Sequence, residues 1–552
     1  MKPQDSSPDL DMPFLPPQQG LARLRLLPGT LARLGPRALA LYARHRLSGG
    51  HTLPPDAALP APPFLWPEAA AAPVIDWCPG VPDGVRALRA LAVPTAGKFD
   101  IRLVWETGRL VDLPGLAPPA AEAMVRDFLA ANPPFRGPHW ACGQEASIRL
   151  AHLLAAQAAI GGAMLPGFLA LVGLHRDRIA ATLSYAMAQD NNHAVSEAAG
   201  LWASSLVLGD ASGAARGRGL LERAVLRLFA PSGAFSQQSM RYHVVALEMA
   251  AFGQRIARGF GAEGLGQAAL ARLAAGAAWL ARIADPASGR AWRVGNDDSS
   301  RFFGGSLEDM RPTLERVDAE LPPSSRARES GTLWLDRQGG FASLSLGPLR
   351  AYLRLPVHRF RPAQADALHL DLWLGGDTLL GDPGTCLYNA NADLALPDLA
   401  RTAAHNTIAF DDDDQMPRLS RFLYGAWLRP AAIEAEPGRI GASYRDWKGR
   451  LHTRALRIGP GEVAVADAVA GNFREARLRW RLPEAPWQLD GIRLSGGPFM
   501  LSLVGAQRLR LVRLLFAPRY GQRATQPALE ATLAPGSATT TLIRVAESPA
   551  MA

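Results

Sequence analysis

The chain has 552 residues, of which 48% are hydrophobic and 20% charged, and it carries a formal net charge of +9. That length exceeds what one hydrophobic core serves, so two large domains are expected, and the composition excludes wholesale disorder. The positive balance favours anionic partners. Basic residues are spread without a Lys/Arg block, zinc-finger or RNP-like string, which argues against nucleic acid and leaves acidic polysaccharide or acidic lipid.

Cys78, Cys142 and Cys386 are too few and too far apart for a disulfide framework or a Cys-rich metal site. The first twenty residues hold acids and prolines where a signal peptide needs an apolar core, so no export signal is read and a cytoplasmic location is the expectation. Nothing in the sequence fixes the oligomeric state.

Residues 1–98 read as an N-terminal arm. Gly20 to Leu47 is rich in Leu, Ala and Arg and is broken at Pro28 and Gly35-Pro36. A packed outer element of short helices with solvated arginines is preferred there over a membrane-surface arm. His51 to Pro82 is a Pro- and Ala-rich linker.

Residues 99–325 are expected to be helical. Apolar residues recur at three- and four-residue spacing in Ala120–Ala131, Gly143–Gln157, Leu165–Asp190, Glu197–Leu208, Ala214–Phe229, Tyr242–Phe260 and Leu265–Ala284. Leu150 to His175 holds no Asp, Glu, Lys or Arg and has the length of a membrane span. Gly161-Gly162 and Pro166 divide it, so two buried helices joined by a turn are predicted and no transmembrane segment. Several helices are apolar on more than one face, as in a toroid of antiparallel hairpins.

From residue 326 to 552 the period shortens to that of strands. Thr332–Leu346, Leu349–Leu355, Leu368–Leu374, Asp377–Leu380, Thr407–Phe410, Arg450–Ile458, Val463–Val469, Ala476–Leu482, Gly491–Ser495, Met500–Val504 and Leu509–Phe516 predict an antiparallel β-sandwich-like domain. The boundary is expected in the polar stretch between Leu321 and Ser330.

Polar strings punctuate both halves. Asp190-Asn191-Asn192-His193 precedes a helix, where Asn and Asp serve equally as caps. Ser236 to His243 (SQQSMRYH) is a second polar junction some fifty residues on. In the strand-rich half, Asp382–Tyr388 (DPGTCLY) is followed by Ala404–Thr407 (AHNT). Cys386 is read as a small buried hydrophobe, because no base partner can be assigned to it. Asp411–Asp414 is read as a solvated acidic loop, with calcium as a minor alternative.

Taken together, these strings resemble the heparinase II/III-like polysaccharide lyases. Asn192-His193 with Glu197, and Gln237-Gln238 with Tyr242-His243, match two helical-domain signatures. Trp105-Glu106 with Arg109, Gly143-Gln144-Glu145 with Arg149, and Gly295–Asp298 with Arg301 resemble further ones. Ala365–His369, DPGT, AHNT and Gln415 do so in the second half. The resemblance spans residues 99 to 460.

It implies an incomplete (α/α) toroid followed by an antiparallel β-domain, with β-elimination on a uronic-acid polysaccharide in the cleft between them. On that resemblance Asn192 neutralises the uronate carboxylate and His193 is its partner or the base. Tyr242 is the acid, or acid and base in turn. Gln144, Glu197, Arg241, His243 and His369 are candidate substrate contacts. No cofactor is required for this chemistry. Asp382 and His405 resemble ligands of a structural divalent ion, zinc or calcium, though with Gln364 in place of a histidine a polar turn network is the preferred reading of them.

The chain departs from the family's His-x-His-Ala-Asp, reading Pro362-Ala363-Gln364-Ala365-Asp366. Pro362 stands where some members have a catalytic histidine, and Gln364 where some have a metal ligand. A glycan-binding protein without turnover is therefore an alternative, as is a uronate epimerase. A hydrolase would need two suitably separated carboxylates, for which Glu197, Asp297 and Asp298 are the candidates.

Overall fold

The structure, a computed structural model, describes residues 17–47, 75–89, 99–164, 166–300, 302–303, 306–322, 332–387, 398–420 and 422–545. Arg301, Tyr388, the polar boundary stretch at 323–331 and most of the 51–82 linker lie outside the described residues.

Helices fill the first part of the chain: α1 (Gly20–Leu47), α2 (Asp83–Arg86), α3 (Ile101–Thr107), α4 (Pro118–Ala131), α5 (Gly143–Ile160), α6 (Pro166–Gln189), α7 (Asn192–Val207), α8 (Ala211–Leu228), α9 (Met240–Gly259), α10 (Gln267–Ile283) and α11 (Arg311–Asp318). The charge-free stretch is indeed two helices, α5 and α6, separated at Gly161-Gly162, both with positive φ. Among the described residues no helix is long and apolar enough to cross a membrane.

Two expectations change. Gly20 to Leu47 breaks at Gly35 (φ 79, ψ 160) as expected, but Pro28 is absorbed within the first of its two helical segments. Helix α7 starts at Asn192 instead of near Glu197, because the Asn191 side chain accepts from the His193 N–H and caps it. The Asn-His motif therefore lies in a helical first turn.

Strands follow from Leu333 onward and pair antiparallel throughout. Among the described residues they form sheets of five, eight, four and two strands. The predicted single strand Thr332–Leu346 is a hairpin, Leu333–Asp336 against Phe341–Leu346, turned at Gly339-Gly340. Gly340 has φ +81, a conformation that side-chain-bearing residues rarely adopt.

The five-stranded sheet, Leu333 to Leu380, is the layer between the lobes, and its two-residue period assigns its faces. Phe341, Tyr352 and Trp373 belong to the helical core, while their neighbours Ala342, Leu353 and Leu372 belong to the β core. Tyr352 stacks on Trp292 at 4.8 Å, and Phe341 meets Trp279 edge-on at 5.0 Å. Gln238 (φ +54) fastens the same interface. It donates to Gly339 O (2.6 Å) and Val357 O (2.7 Å), and its Oε1 accepts from Arg354 (2.8 Å). This interface sets the cleft above it.

Candidate functional site

A cleft opens between the lobes, its walls drawn from both. The helical lobe contributes Tyr185, Asn191, Gln237, Tyr242, Asn296 and Asp298 to its wall. The β lobe contributes Arg361, Pro362, Thr385, Cys386, Asp398 and Arg418. Two motifs distant in sequence meet here, since the Asp297 N–H donates to the Thr385 hydroxyl of DPGT at 3.0 Å.

Tyr242 lies in the first turn of α9, which Ser239 caps by accepting from the Tyr242 N–H at 3.2 Å. Its hydroxyl donates to Asp298 Oδ2 at 3.2 Å. The Asp298 carboxyl is buried, which opposes ionisation, but Arg102 (3.2 Å) and Arg109 outweigh that and hold it below the usual carboxylate range. Tyr242 is thus a wall phenol aimed at a fixed anion.

Asn192 sits one layer beneath the wall. Its amide donates to Gln144 Oε1 at 2.6 Å, and its backbone N–H donates to Gln237 Oε1 at 3.2 Å. His193 turns away from the cleft lining. Its Nδ1 lies 3.2 Å from Glu197 Oε1 and 4.0 Å from the Cys142 sulfur. Burial disfavours the imidazolium, but Cys142 and Glu197 outweigh it and push the pKa up to about 10. The Glu197 carboxylate beside Nδ1 favours the imidazolium, which suits a fixed cation better than a base.

The proposed substrate contacts need correction. Gln144 and Glu197 are buried and spend themselves on Asn192 and His193; Gly143 leaves the space Glu197 occupies, an added Cβ falling 2.4 Å from its Oε2. Arg241 is buried and bonds Asp297 at 2.9 Å, so it orders the loop carrying Asp298. His243 stacks on Trp279 at 5.4 Å among Phe229 and Phe235, and burial drops its pKa to about 3. It is a core histidine.

His369 is also withdrawn from the cleft. It joins Asp382 and His405, their ligand-capable atoms all within 4.8 Å of one another. His405 Nδ1 lies 3.3 Å from Asp382 Oδ2, yet Asp382 Oδ2 and both His405 ring nitrogens have no hydrogen-bond partner. His369 is committed on both sides: Nδ1 accepts from the Asn406 N–H (2.9 Å) and Nε2 faces Asp371 Oδ2 (3.1 Å). Gln364 is buried with neither amide atom bonded, while His358 goes to Gln238 Oε1 at 3.0 Å.

Asp382 and His405 thus offer uncommitted donors to a divalent ion, while His369 adjoins them with both ring nitrogens already engaged. An imidazole beside a carboxylate suits zinc better than calcium, which prefers oxygen.

Other strings are scaffolding. Arg109 grips Glu145 with two bonds, 2.6 and 2.7 Å, and Arg149 ties His175 to the Gly108 and His139 carbonyls. Asn406 bonds the Leu370 and Gly381 carbonyls and the Arg481 N–H. The acidic run stays exposed at Asp412 and is also ion-paired: Asp413 to Arg450 and Lys448, Asp412 to Arg477, and the buried Asp414 to Arg401. Cys386 is buried, and burial raises its pKa, as expected of an inert thiol.

Sequence reasoning missed Tyr185, Arg361 and Arg418. Arg361 adjoins the altered Pro362 stretch and was the accessible signal; Tyr185 and Arg418 stand in no motif.

Residues 320–540 match the family model "Heparinase II/III-like, C-terminal". The whole chain has the fold of solved heparinases, a helical toroid followed by an antiparallel β-domain. A structure of heparinase III superposes with a TM-score of 0.63 at 13% identity, covering 93% of this chain and 90% of that one. A second heparinase III structure gives 0.58 at 16% identity over 99% and 94%. Heparan sulfate lyase HepC from Pedobacter heparinus gives 0.54 at 16% over 81% and 76%. Among curated proteins no significant match is found.

Proposed function

We propose that the protein is a polysaccharide lyase that cleaves a uronic-acid-containing acidic glycan by β-elimination. The observation that carries this reading is the meeting of Tyr242 with Asn191, the cap of α7, and Gln237 in one interlobe cleft, on a heparinase-like fold. The uronate carboxylate would lie over the N-terminus of α7, where Asn192, Gln237 and the positive end of the helix favour negative charge. Charge that develops there on C5 deprotonation is stabilised by these fixed donors.

The C5 proton passes to the Tyr242 oxygen in its phenolate form. The phenol so made then gives that proton to the C4 glycosidic oxygen as its bond to carbon breaks. A protonated His193 supports the assignment of both transfers to Tyr242. Hydrolysis is disfavoured, because cleft carboxylates are matched by arginines: Asp190 by Arg227 (2.6 Å), Asp298 by Arg102 and Asp398 by Arg418 (2.5 Å).

A divalent ion at Asp382 and His405 would act structurally, neutralising a buried carboxylate beneath the DPGT loop; no proton transfer passes through it.

The test is a panel of uronate polysaccharides followed by ultraviolet absorbance of the unsaturated uronate product. Absorbance should grow with at least one polymer and vanish in Tyr242→Phe, which should still bind it. Binding without product in the parent protein would overturn the lyase reading in favour of a glycan-binding role, toward which Pro362 in the cleft wall points.

A further inference from the structure

Helix α1 borders the cleft and is fastened to both lobes. The Gln18 N–H, just before it, donates to Arg418 O at 2.8 Å, and the Arg33 guanidinium lies over the Trp427 ring at 5.8 Å. Beyond the Gly35 kink, Arg37 pairs with Asp190 at 3.1 Å, and Tyr42 and His45 pack on Tyr185. Arg418, Asp190 and Tyr185 all line the cleft.

The end of α1 builds a platform at this rim. His45 lies nearly parallel to the Tyr185 ring at 4.8 Å, Tyr42 tilts against it at 6.2 Å, and Arg46 sits 5.9 Å over Tyr42. Tyr185 nonetheless stays 39% exposed and Tyr42 46%. Arg44 and Arg46 are exposed, and the whole of Gly20–Leu47 contains no Asp or Glu.

Exposed tyrosine rings offer an apolar face with a polar edge, which complements the C–H face and hydroxyls of a pyranose. A guanidinium adds the planar fork that pairs with sulfate or carboxylate.

We propose that Tyr42, Tyr185 and Arg46 form an outer subsite that holds an acidic sugar of the same polymer, outside the residue bound in the cleft. The proposal rests on the cleft being a glycan site. A polymer leaving the cleft past Tyr185 meets the platform directly, and that continuity selects a glycan over a lipid surface as the occupant. The subsite adds affinity for longer chains that a disaccharide cannot collect.

Calorimetric titration with disaccharides and hexasaccharides of heparan sulfate, chondroitin sulfate and alginate tests this. At least one hexasaccharide should bind more tightly than its disaccharide. Tyr42→Ala should weaken that hexasaccharide about five- to tenfold while affecting the disaccharide far less, and Tyr42→Phe should restore most of the loss. Arg46→Ala, at an exposed position, should weaken the hexasaccharide and flatten its salt dependence even if the tyrosine variant folds poorly.

Variants that bind the hexasaccharide like the parent would remove the subsite and leave the cleft reading intact. Failure of the parent to bind any of these sugars would remove both. Anionic phospholipid vesicles binding through α1, with no dependence on sugar length, would replace the subsite with a membrane surface.

Discussion

Two clusters built from the same residue types, one carried by the helical lobe and one by the β lobe, are wired differently. On the helical side, polar side chains answer one another: Asn192 to Gln144 and Gln237, His193 to Glu197, Tyr242 to Asp298. On the β side, Asp382 Oδ2, both nitrogens of His405 and both amide atoms of Gln364 are buried without hydrogen bonds. An unsatisfied buried polar group costs on the order of 1–3 kcal/mol, so several together mark a place that a ligand completes. On the function proposed above, the saturated cluster would serve proton transfer and the unsaturated one would take a cation.

The contrast breaks most sharply at Tyr242. Tyr242→Phe should lower product formation by about 10²–10⁴-fold with little change in thermal midpoint, since only a hydroxyl bonded to Asp298 is lost. Retained turnover would deprive the helical cluster of its chemical role.

Both clusters hang on the sheet between the lobes, and Phe341 plugs into the helical core from it. Phe341→Ala should destabilise the protein by about 3–5 kcal/mol, read as a lower denaturant midpoint. A negligible shift would mean that the lobes are held elsewhere.

The β cluster is sharpened with zinc. After chelation, zinc at about a hundred times its Kd should stabilise the parent by about 2.7 kcal/mol, and His405→Ala should abolish that response. An unresponsive parent would leave the cluster a packing feature only.

The smallest effect concerns His193. Nuclear magnetic resonance should find its imidazole titrating near pH 10, and Glu197→Gln should bring that value down. A raised folded pKa means that the folded state binds the proton more tightly. This group's contribution to stability is therefore complete below about pH 6.5 and is lost as the pH rises through about 10.

The helices were legible because their apolar period and Gly or Pro punctuation are local. Strands Pro430–Glu436, Arg439–Arg445 and Ala524–Leu533 were not, since their Ala, Glu, Gly and Pro content gives weak strand preference; Ala538–Val545 was missed although its Thr, Ile and Val favour a strand. They are strands because neighbours pair with them, as Ala524–Leu533 does between Ala476–Arg481 and Arg508–Phe516. In the site, Tyr242 was found from its motif. His243 beside it was misplaced, because successive helical residues point a quarter-turn or more apart and only packing tells which faces the cleft.

By itself the sequence determined two lobes of different periodicity and the short polar strings where chemistry is concentrated. Tertiary structure alone decided that His243 is core, that His369 joins Asp382 and His405, and that Tyr185 and Arg361 share a wall with Tyr242. The physical reason is that a side chain's burial and charge state depend on groups brought beside it from hundreds of residues away, which no local pattern encodes.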